Sequence, residues 1–282
     1  MKPKKKPERK IKVINDDLII NAIIESLKKD PKMYKKYISD CLTRKYELKI
    51  QLTIIIKVLR LGISWRDINE LTIAQNIHWN TVYKTFRRLI DDLIIDKCFN
   101  DTVNRYVKNK PASKLKVRMT DTTVIPNKLG EEDIGRNIHY NGKNITKISL
   151  ITDLNGNPLD ANIYSGNKYD SAIYHEQIDE KSAIETKLEE KYRRILLADK
   201  GYDSMKLRNK LIEKGFIPII PYNRRNTKDP EKIKHLTEKE KMIYKQRIRI
   251  EQTFMKLKRN KRINIRYEIS DMIGNLIFIK DF

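Results

Sequence analysis

The fold-deciding stretch, residues 195–203, reads Ile195-Leu196-Leu197-Ala198-Asp199-Lys200-Gly201-Tyr202-Asp203. Its first four residues are apolar without a break, which is typical of a strand buried on both faces of a parallel sheet. The strand ends at Asp199, and a carboxylate there is costly unless it is paired or binds a metal ion. Asp203 or Ser204 then caps a helix that ends near Gly215, and residues 216–220 form the next strand. This strand–helix–strand order predicts an α/β fold for the second half of the chain.

A second aspartate ends another predicted strand upstream. From Leu115 to Asp121 apolar residues alternate with polar ones, which is the period of a half-buried strand. We predict the remaining elements as strands at 145–152 and 159–164, a hairpin turn at Asn155-Gly156, and a helix at 171–190. Open α/β sheets bind ligands at the carboxyl ends of their strands. Asp121 and Asp199 are therefore predicted to share a site at the edge of the sheet.

A third carboxylate lies on an amphipathic helix that begins at the capping box Thr237-x-x-Glu240. At about 100° per residue, one stripe of this helix carries Tyr244, Arg247, Glu251 and Lys258. The adjacent apolar stripe consists of Ile243, Ile250, Phe254 and Leu257. If the apolar stripe packs on the sheet, Glu251 reaches the cleft between the two aspartates. The alternative is that Glu251 only pairs with Arg247 one turn away.

Three carboxylates without histidine or cysteine partners suit Mg²⁺ or Mn²⁺, because these hard cations prefer oxygen ligands. The four histidines and two cysteines show no metal-ligand spacing. Two such ions about 4 Å apart can activate a water or a 3′-hydroxyl and stabilise the leaving oxygen in phosphoryl transfer. The predicted catalytic and metal-binding residues are Asp121, Asp199 and Glu251. Arg247 and Lys258, on the same helix face, would meet the anionic phosphodiester.

The order Asp121, Asp199, Glu251 resembles that of the DDE transposases of bacterial insertion sequences. Tyr244, Arg247, Glu251 and Lys258 have the Y-x2-R-x3-E-x6-K spacing of one large branch. Shorter strings agree: Thr120-Asp121-Thr122-Thr123, Ala198-Asp199-Lys200-Gly201-Tyr202-Asp203, Phe254-x2-Leu257-Lys258-Arg259, and Arg60-Leu61-Gly62-Ile63-Ser64-Trp65-Arg66-Asp67. The resemblance covers about residues 45–270. It implies an RNase H-like mixed-sheet catalytic domain, DNA strand cleavage and transfer, and a homo-oligomer assembled on paired element ends.

The net charge of the chain is +23, from 60 Lys+Arg against 37 Asp+Glu. Such an excess attracts polyanions, so nucleic acid is the first candidate partner and an anionic membrane surface the second. The family resemblance implies double-stranded DNA as the partner: element terminal inverted repeats and target DNA. A Lys-rich composition from an AT-rich genome is the alternative. The sequence contains no run of about 18 apolar residues, which a membrane-spanning helix would need, and no signal peptide is recognisable. We expect a cytoplasmic protein of the bacterial nucleoid, or a nuclear or virus-associated one in a eukaryotic host.

The predicted domains are a flexible basic tail (residues 1–15), a helical DNA-binding region (16–110) and the catalytic domain (111–282). The predicted helix boundaries before residue 95 are a stop at Gly62 and caps at Ser64 and Asn80. On the helix after Asn80, the side chains of Lys84, Thr85 and Arg88 share a polar face, as in a helix-turn-helix reader. Lys84 and Arg88 are therefore predicted to contact DNA. The alternative is a helical bundle with a solvated basic face.

Three further arginines are predicted to contact DNA. Arg259 belongs to one of the strings that resemble the family, while Arg224 and Arg225 follow Tyr222 and could grip phosphates. The rival function is a decayed or repurposed copy that binds DNA without cutting it. An RNA-binding protein is disfavoured, because the paired strand aromatics that stack on single strands are missing.

Some relatives with the Tyr/Arg/Glu/Lys helix form a DNA hairpin and hold a flipped base on tryptophan. An extruded base needs such a platform to offset its unstacking. In this chain Trp65 and Trp79 both lie in the N-terminal region. We predict that Tyr222 or Tyr244 would stabilise any hairpin instead.

Overall fold

The computed structural model describes residues 16–39, 46–74, 76–178, 194–225, 233 and 235–265. Within these residues the chain begins with five α-helices: α1 (Asp16–Lys28), α2 (Pro31–Tyr37), α3 (Leu48–Leu61), α4 (Trp79–Asp91) and α5 (Ile94–Asn109). Short 3-10 turns at Trp65–Glu70 and Thr72–Ala74 lie between α3 and α4. The predicted helical region is confirmed. The predicted basic tail, residues 1–15, lies outside the described residues.

Two of the three predicted helix boundaries before residue 95 are confirmed. Gly62 ends α3 in the left-handed conformation, with φ of 74°. The Ser64 side chain accepts the backbone N–H of Arg66 and so caps the turn that follows. The predicted cap at Asn80 is wrong, because His78 takes this role two residues earlier. Its ring nitrogen Nδ1 accepts the N–H of Asn80 at 3.3 Å, so Asn80 lies inside α4.

The described part of the second region contains six strands: β1 (Val117–Pro126), β2 (Gly135–Asn137), β3 (Lys143–Asp153), β4 (Pro158–Ser165), β5 (Arg194–Leu197) and β6 (Phe216–Ile219). β3 pairs antiparallel with β1, β2 and β4, and β5 runs parallel to both β1 and β6. Gly156, with φ of 84°, lies in the predicted turn between β3 and β4. The mixed sheet confirms the predicted α/β fold class.

β1 is a central strand of the sheet, and residues 118–120 are buried on both of its faces. This burial corrects the prediction of a strand with one exposed face. β1 pairs with β3 on one edge and with β5 on the other. Arg118 and Thr120, on the face predicted to be exposed, are both buried. The guanidinium of Arg118 lies 5.4 Å from the ring centroid of Phe216, so a polar residue is accommodated there. The strand continues to Pro126, and Asp121 therefore lies in its middle rather than at its end.

The helices of the second region lie between and after the strands: α6 (Asp170–Gln177), α7 (Met205–Glu213), α8 (Glu238–Tyr244), α9 (Ile248–Leu257) and α10 (Lys261–Asn264). The capping box at Thr237 and Glu240 is confirmed. A 3-10 turn at Lys245–Arg247 separates α8 from α9, so the single helix of the prediction is interrupted. The first part of the helix predicted over 171–190 is α6, and residues 179–190 lie outside the described residues. None of the described helices is long and apolar enough to cross a membrane.

The helical region and the sheet share one buried apolar cluster. It includes core residues of α1, α3, α4 and α5 together with residues of β1, β3 and β4. The predicted apolar stripe of α9 joins this cluster through Ile250, Phe254 and Leu257. Burial of these side chains positions α9 along the sheet and directs its polar stripe to the margin.

A second connection joins the two regions, where α10 packs against the end of α3. The guanidinium of Arg262 donates to the carbonyl oxygen of Ile63. A β-carbon added at Gly62 would lie 2.8 Å from the Cβ of Lys261, closer than real side chains approach. The glycine therefore serves both the left-handed helix end and the close approach of α10.

Gly62→Ala should lower the free energy of unfolding by at least about 2 kcal/mol, because positive φ and steric overlap both oppose the new methyl group. Gly142→Ala is the matched control, since Gly142 has φ of 67° but no atom within 4 Å of its added Cβ. It should cost only about 1 kcal/mol, the strain of the left-handed conformation alone. Urea denaturation of both variants measures the difference. Equal losses would show that the contact with Lys261 is unimportant.

Candidate active site

Asp121 and Asp199 lie close together where the parallel pairing of β1 and β5 ends. The last paired residues are Met119 and Leu197, and each aspartate lies two positions further along its chain. Asp121 continues β1, whereas Asp199 lies just beyond the end of β5 and begins the turn that follows. Their charges interact, since Asp199 contributes to raising the pKa of Asp121. The structure thus brings the two predicted aspartates together.

The carboxyl group of Asp121 is largely buried, with its side chain 16% exposed. Its Oδ1 accepts the backbone N–H of Thr122 at 2.9 Å, and its Oδ2 accepts an Nη2 hydrogen of Arg247 at 3.1 Å. Burial raises the pKa of Asp121 to about 7, although Arg247 opposes this shift, and the charges of Asp199 and Asp170 add to it. A nearby cation would favour the charged form of this carboxyl group.

Asp199 opens a tight 3-10 turn, Lys200–Tyr202, directly after β5. Its Oδ1 accepts the backbone N–H of Gly201 at 2.6 Å, which fixes the carboxylate at the start of the turn. A β-carbon at Gly201 would lie 2.9 Å from that same oxygen. A side chain at position 201 would therefore push against the carboxylate, which explains why glycine suits this position.

Arg247 links the third carboxylate to the first. Its Nη1 donates to Glu251 at 2.9 Å, while its Nη2 donates to Asp121. The pairing of Glu251 with Arg247 is thus present, and it is part of the assembled site rather than an alternative to it. The Arg247 side chain is 12% exposed and that of Glu251 55%, so Glu251 stays accessible at the margin.

The other predicted residues of this helix face lie at different depths. The half-buried Tyr244 has a raised pKa because of burial, and the charges of Asp199, Asp121 and Glu251 add to the shift while Arg247 opposes it. The Lys258 ammonium donates to the carbonyl oxygen of Val124 at 3.3 Å, and burial lowers its pKa. Arg259 is exposed. Tyr244 and Lys258 therefore line the site, whereas Arg259 lies at its outer surface.

The donor atoms of the site fit a hard divalent cation, since Asp121, Asp199 and Glu251 all supply carboxylate oxygens. Across the described ranges, however, no three acidic, histidine or cysteine side chains stand close enough to hold one ion. Two of the predicted ligands, Asp121 and Glu251, are joined through the guanidinium of Arg247 instead. Their donor chemistry suits the predicted metal ions.

Comparison with known protein families gives a clear match. The family described as the transposase DDE domain matches residues 112–280, which is more than half of the chain. The chain belongs to this family. It is therefore a transposase of the DDE type, as the order of the three carboxylates led us to expect. No curated protein sequence matches it.

Comparison with solved structures also gives transposases. The piggyBac transposase, in a synaptic complex with hairpin DNA, matches with a TM-score of 0.53 and 10% identity, covering 95% of this chain and 73% of that chain. The catalytic domain of the Mos1 mariner transposase matches with a TM-score of 0.29 and 12% identity, covering 59% and 90%. The piggyBac likeness and the mixed sheet confirm the predicted fold class, a mixed-sheet α/β domain after a helical region.

Sequence analysis missed one carboxylate of the DDE transposase site. Asp170 opens α6, and its Oδ1 accepts both the Thr122 hydroxyl at 2.8 Å and the Lys147 ammonium at 2.9 Å. Its charge contributes to raising the pKa of Asp121. A signal was available, since an aspartate at a helix start soon after a strand ends is another candidate for the same edge of the sheet.

The predicted DNA-contacting face on α4 of the transposase is smaller than expected. Lys84 and Arg88 are exposed, as required. Thr85 is buried, and its hydroxyl donates to Gln51 of α3 at 2.6 Å. The prediction that Thr85 belongs to the polar outer face is therefore wrong, because a buried partner on α3 satisfies its hydroxyl.

The predicted arginines after β6 lie on a loop with fixed backbone. Arg224 and Arg225 are exposed. The backbone N–H of Asn223 donates to Asp203 at 2.8 Å, and that of Arg225 donates to the Asn223 side chain at 3.1 Å. The half-buried Tyr222 precedes this loop. These contacts fix the backbone from which the two exposed arginine side chains extend.

Trp65 is engaged within the helical region. Its ring lies 5.4 Å from that of Tyr83 and 4.9 Å from that of Phe86, measured between centroids. Trp79 lies 6.3 Å from Tyr83 in the same group. Trp65 contributes to the packing of α4 on the preceding turn.

Proposed function

We propose that this transposase is active: it binds the terminal inverted repeats of a mobile element, cuts the DNA and joins the cut ends to target DNA. The observation that carries the proposal is the meeting of Asp121 and Asp199 where the parallel pairing of β1 and β5 ends, with Glu251 linked to Asp121 through Arg247. Reaction on paired ends would take place in a homo-oligomer assembled on DNA.

Asp121, Asp199 and Glu251 would hold two Mg²⁺ or Mn²⁺ ions, which supply activation of the attacking oxygen and stabilisation of the leaving oxygen. The chain itself would bind and orient the phosphodiester. Arg247 and Lys258 present cationic groups beside the carboxylates, and charge-assisted bonds to phosphate oxygens are strong. Lys258 is half-buried, so a bound phosphate would also favour its charged form.

Metal-dependent nicking tests the proposal against its rival. The purified full-length chain should nick a plasmid that carries the element ends in Mg²⁺ or Mn²⁺, and EDTA should abolish the reaction. The chain should also bind these ends without metal. Tight binding of the ends with no nicking in either metal would support the rival function, a DNA-binding protein derived from a transposase.

Lys84→Ala combined with Arg88→Ala should weaken binding to the element ends, because both exposed cations would contact DNA. If they contact phosphates, all DNA is affected and the salt dependence flattens by about one unit per lost contact. If they read bases, the ratio of specific to non-specific affinity falls instead. Fluorescence anisotropy at several salt concentrations distinguishes the two.

A charge-matched control for this pair is Lys28→Ala combined with Lys29→Ala at the end of α1. It removes the same charge from the helical region but leaves α4 intact, so specific binding should be preserved. If the α4 variant bound DNA like the wild type, the basic face of α4 would be a solvated surface and not a DNA contact.

Arg224, Arg225 and Arg259 are proposed as further phosphate contacts, since all three are exposed. Tyr244 and Tyr222 remain our candidates for stacking on an extruded base. Tyr244 is favoured by its position among the three carboxylates.

A further inference from the structure

A continuous line of polar contacts leads from the sheet to Asp121. The ammonium group of Lys147 on β3 donates to the Lys168 carbonyl oxygen at 2.7 Å and to Asp170 at 2.9 Å. Asp170 accepts the hydroxyl of Thr122 at 2.8 Å. The backbone N–H of Thr122 donates to Oδ1 of Asp121 at 2.9 Å. Thr122 thus contacts one carboxylate through its side chain and another through its backbone.

This line of contacts lies in a mostly buried setting. Lys147 is 8% exposed. Tyr202, fully buried, lies beside the same groups: burial raises its pKa well above the usual value, and the charges of Asp121, Asp170 and Asp199 raise it further, while the Thr122 hydroxyl opposes them. Moving two charges from water into a buried site costs about as much free energy as their mutual attraction recovers. The Asp170 side chain is 32% exposed, so Lys147 is the more deeply buried partner of this pair. The net contribution of the intact pair to stability is therefore small, although removal of Asp170 would leave the Lys147 charge buried and unpaired. The contacts of the pair fix the direction of the groups that it touches.

The geometry points to a role for Asp170 as a positioning residue for Asp121, acting through Thr122. We propose that Lys147 fixes Asp170, that Asp170 fixes Thr122, and that Thr122 holds Oδ1 of Asp121 in the direction needed for a divalent cation. The inference rests on the proposed function, because it gives Asp121 a metal ion to bind. Groups that orient a metal ligand typically change metal affinity or activity by about 10–100-fold when they are removed.

The test is Mn²⁺ binding by the full-length chain without DNA, measured by titration calorimetry. Asp170→Ala should raise the Mn²⁺ dissociation constant by about tenfold. Glu176→Ala is the matched control, since Glu176 lies on the same helix, pairs with Lys168 and is 49% exposed. This control should bind Mn²⁺ like the wild type. Affinity for element ends should be unchanged in both variants. The melting temperature should be unchanged in Glu176→Ala and lower in Asp170→Ala, because the buried Lys147 ammonium loses its carboxylate partner, so Mn²⁺ binding is measured well below both melting temperatures.

A pair of substitutions at Thr122 tests the route. Thr122→Val keeps the backbone N–H and the side-chain shape but removes the hydroxyl, so it should weaken Mn²⁺ binding as Asp170→Ala does. Thr122→Ser keeps the hydroxyl and should recover most of the lost affinity. Nicking should follow the same order at low metal concentration and converge when Mn²⁺ is saturating.

Wild-type Mn²⁺ affinity in a folded Asp170→Ala variant would overturn the inference while leaving the proposed function intact. So would a loss of Mn²⁺ affinity in Asp170→Ala that Thr122→Val does not share, since Asp170 would then act through its charge or through stability and not by positioning Asp121 through Thr122. Equal behaviour of Thr122→Val and Thr122→Ser would overturn the route. If the wild type itself neither binds Mn²⁺ nor nicks DNA, the proposed function fails, and the inference fails with it.

Discussion

Asp121→Asn, Asp199→Asn and Glu251→Gln should each reduce nicking of element-end DNA by at least about a thousandfold. Each change keeps the shape of the side chain but replaces a charged metal ligand with a neutral amide. The three carboxylates are proposed to act as one unit, so the loss of any one should be nearly as severe as the loss of all. Fold and DNA affinity should be retained. Gel analysis of supercoiled plasmid in Mg²⁺ measures the effect.

Glu238→Gln provides the control for these three variants. Glu238 lies on α8, is 85% exposed and pairs only at the surface with Lys241 among the contacts described. Its substitution should leave nicking unchanged. Wild-type nicking by any one of the three site variants would remove that residue from the catalytic assignment.

Asp121→Asn should also stabilise the metal-free protein at alkaline pH, by roughly 3–4 kcal/mol. The pKa of Asp121 is about 7 in the folded chain, against an ordinary value of 3.8. Between these values the folded state binds more protons than the unfolded state, so wild-type stability falls as pH rises from about 4 to 7. The asparagine side chain does not titrate and avoids this loss.

Urea denaturation in EDTA at several pH values measures the difference. The curves of wild type and Asp121→Asn should nearly coincide close to pH 4 and separate fully above pH 7. Glu238→Gln should follow the wild type, because its exposed side chain has a solvated environment. A separation that stays constant with pH, or a less stable Asp121→Asn variant, would show that the buried charge is not the cause.

The features that sequence analysis predicted well depend on neighbours along the chain. The unbroken apolar run at residues 195–198 predicted a parallel strand, and the capping box at Thr237 predicted the start of a helix. The helical period of the Glu251 helix predicted which face packs on the sheet. In each case the deciding pattern spans only a few residues or a few helical turns.

The features that sequence analysis missed depend on contacts with residues far away in the sequence. Thr85 is buried because Gln51, 34 positions earlier, accepts its hydroxyl. Asp170 joins the site through Thr122, 48 positions away, and through Lys147, 23 positions away. The alternation before Asp121 predicted one exposed face, but residues far along the chain cover that face: Arg118 and Thr120 are buried, and the ring of Phe216 lies beside Arg118. A single sequence does not reveal such partners.

The contact of α10 with the end of α3 limits how this protein can be engineered. Exchanging its helical region for that of another transposase, to redirect it to new element ends, would separate Gly62 from Lys261 and Ile63 from Arg262. It would also cut through the apolar cluster that both regions share. A working chimaera would need α10 transplanted along with the helical region, so the helical region cannot be exchanged as one continuous segment of chain.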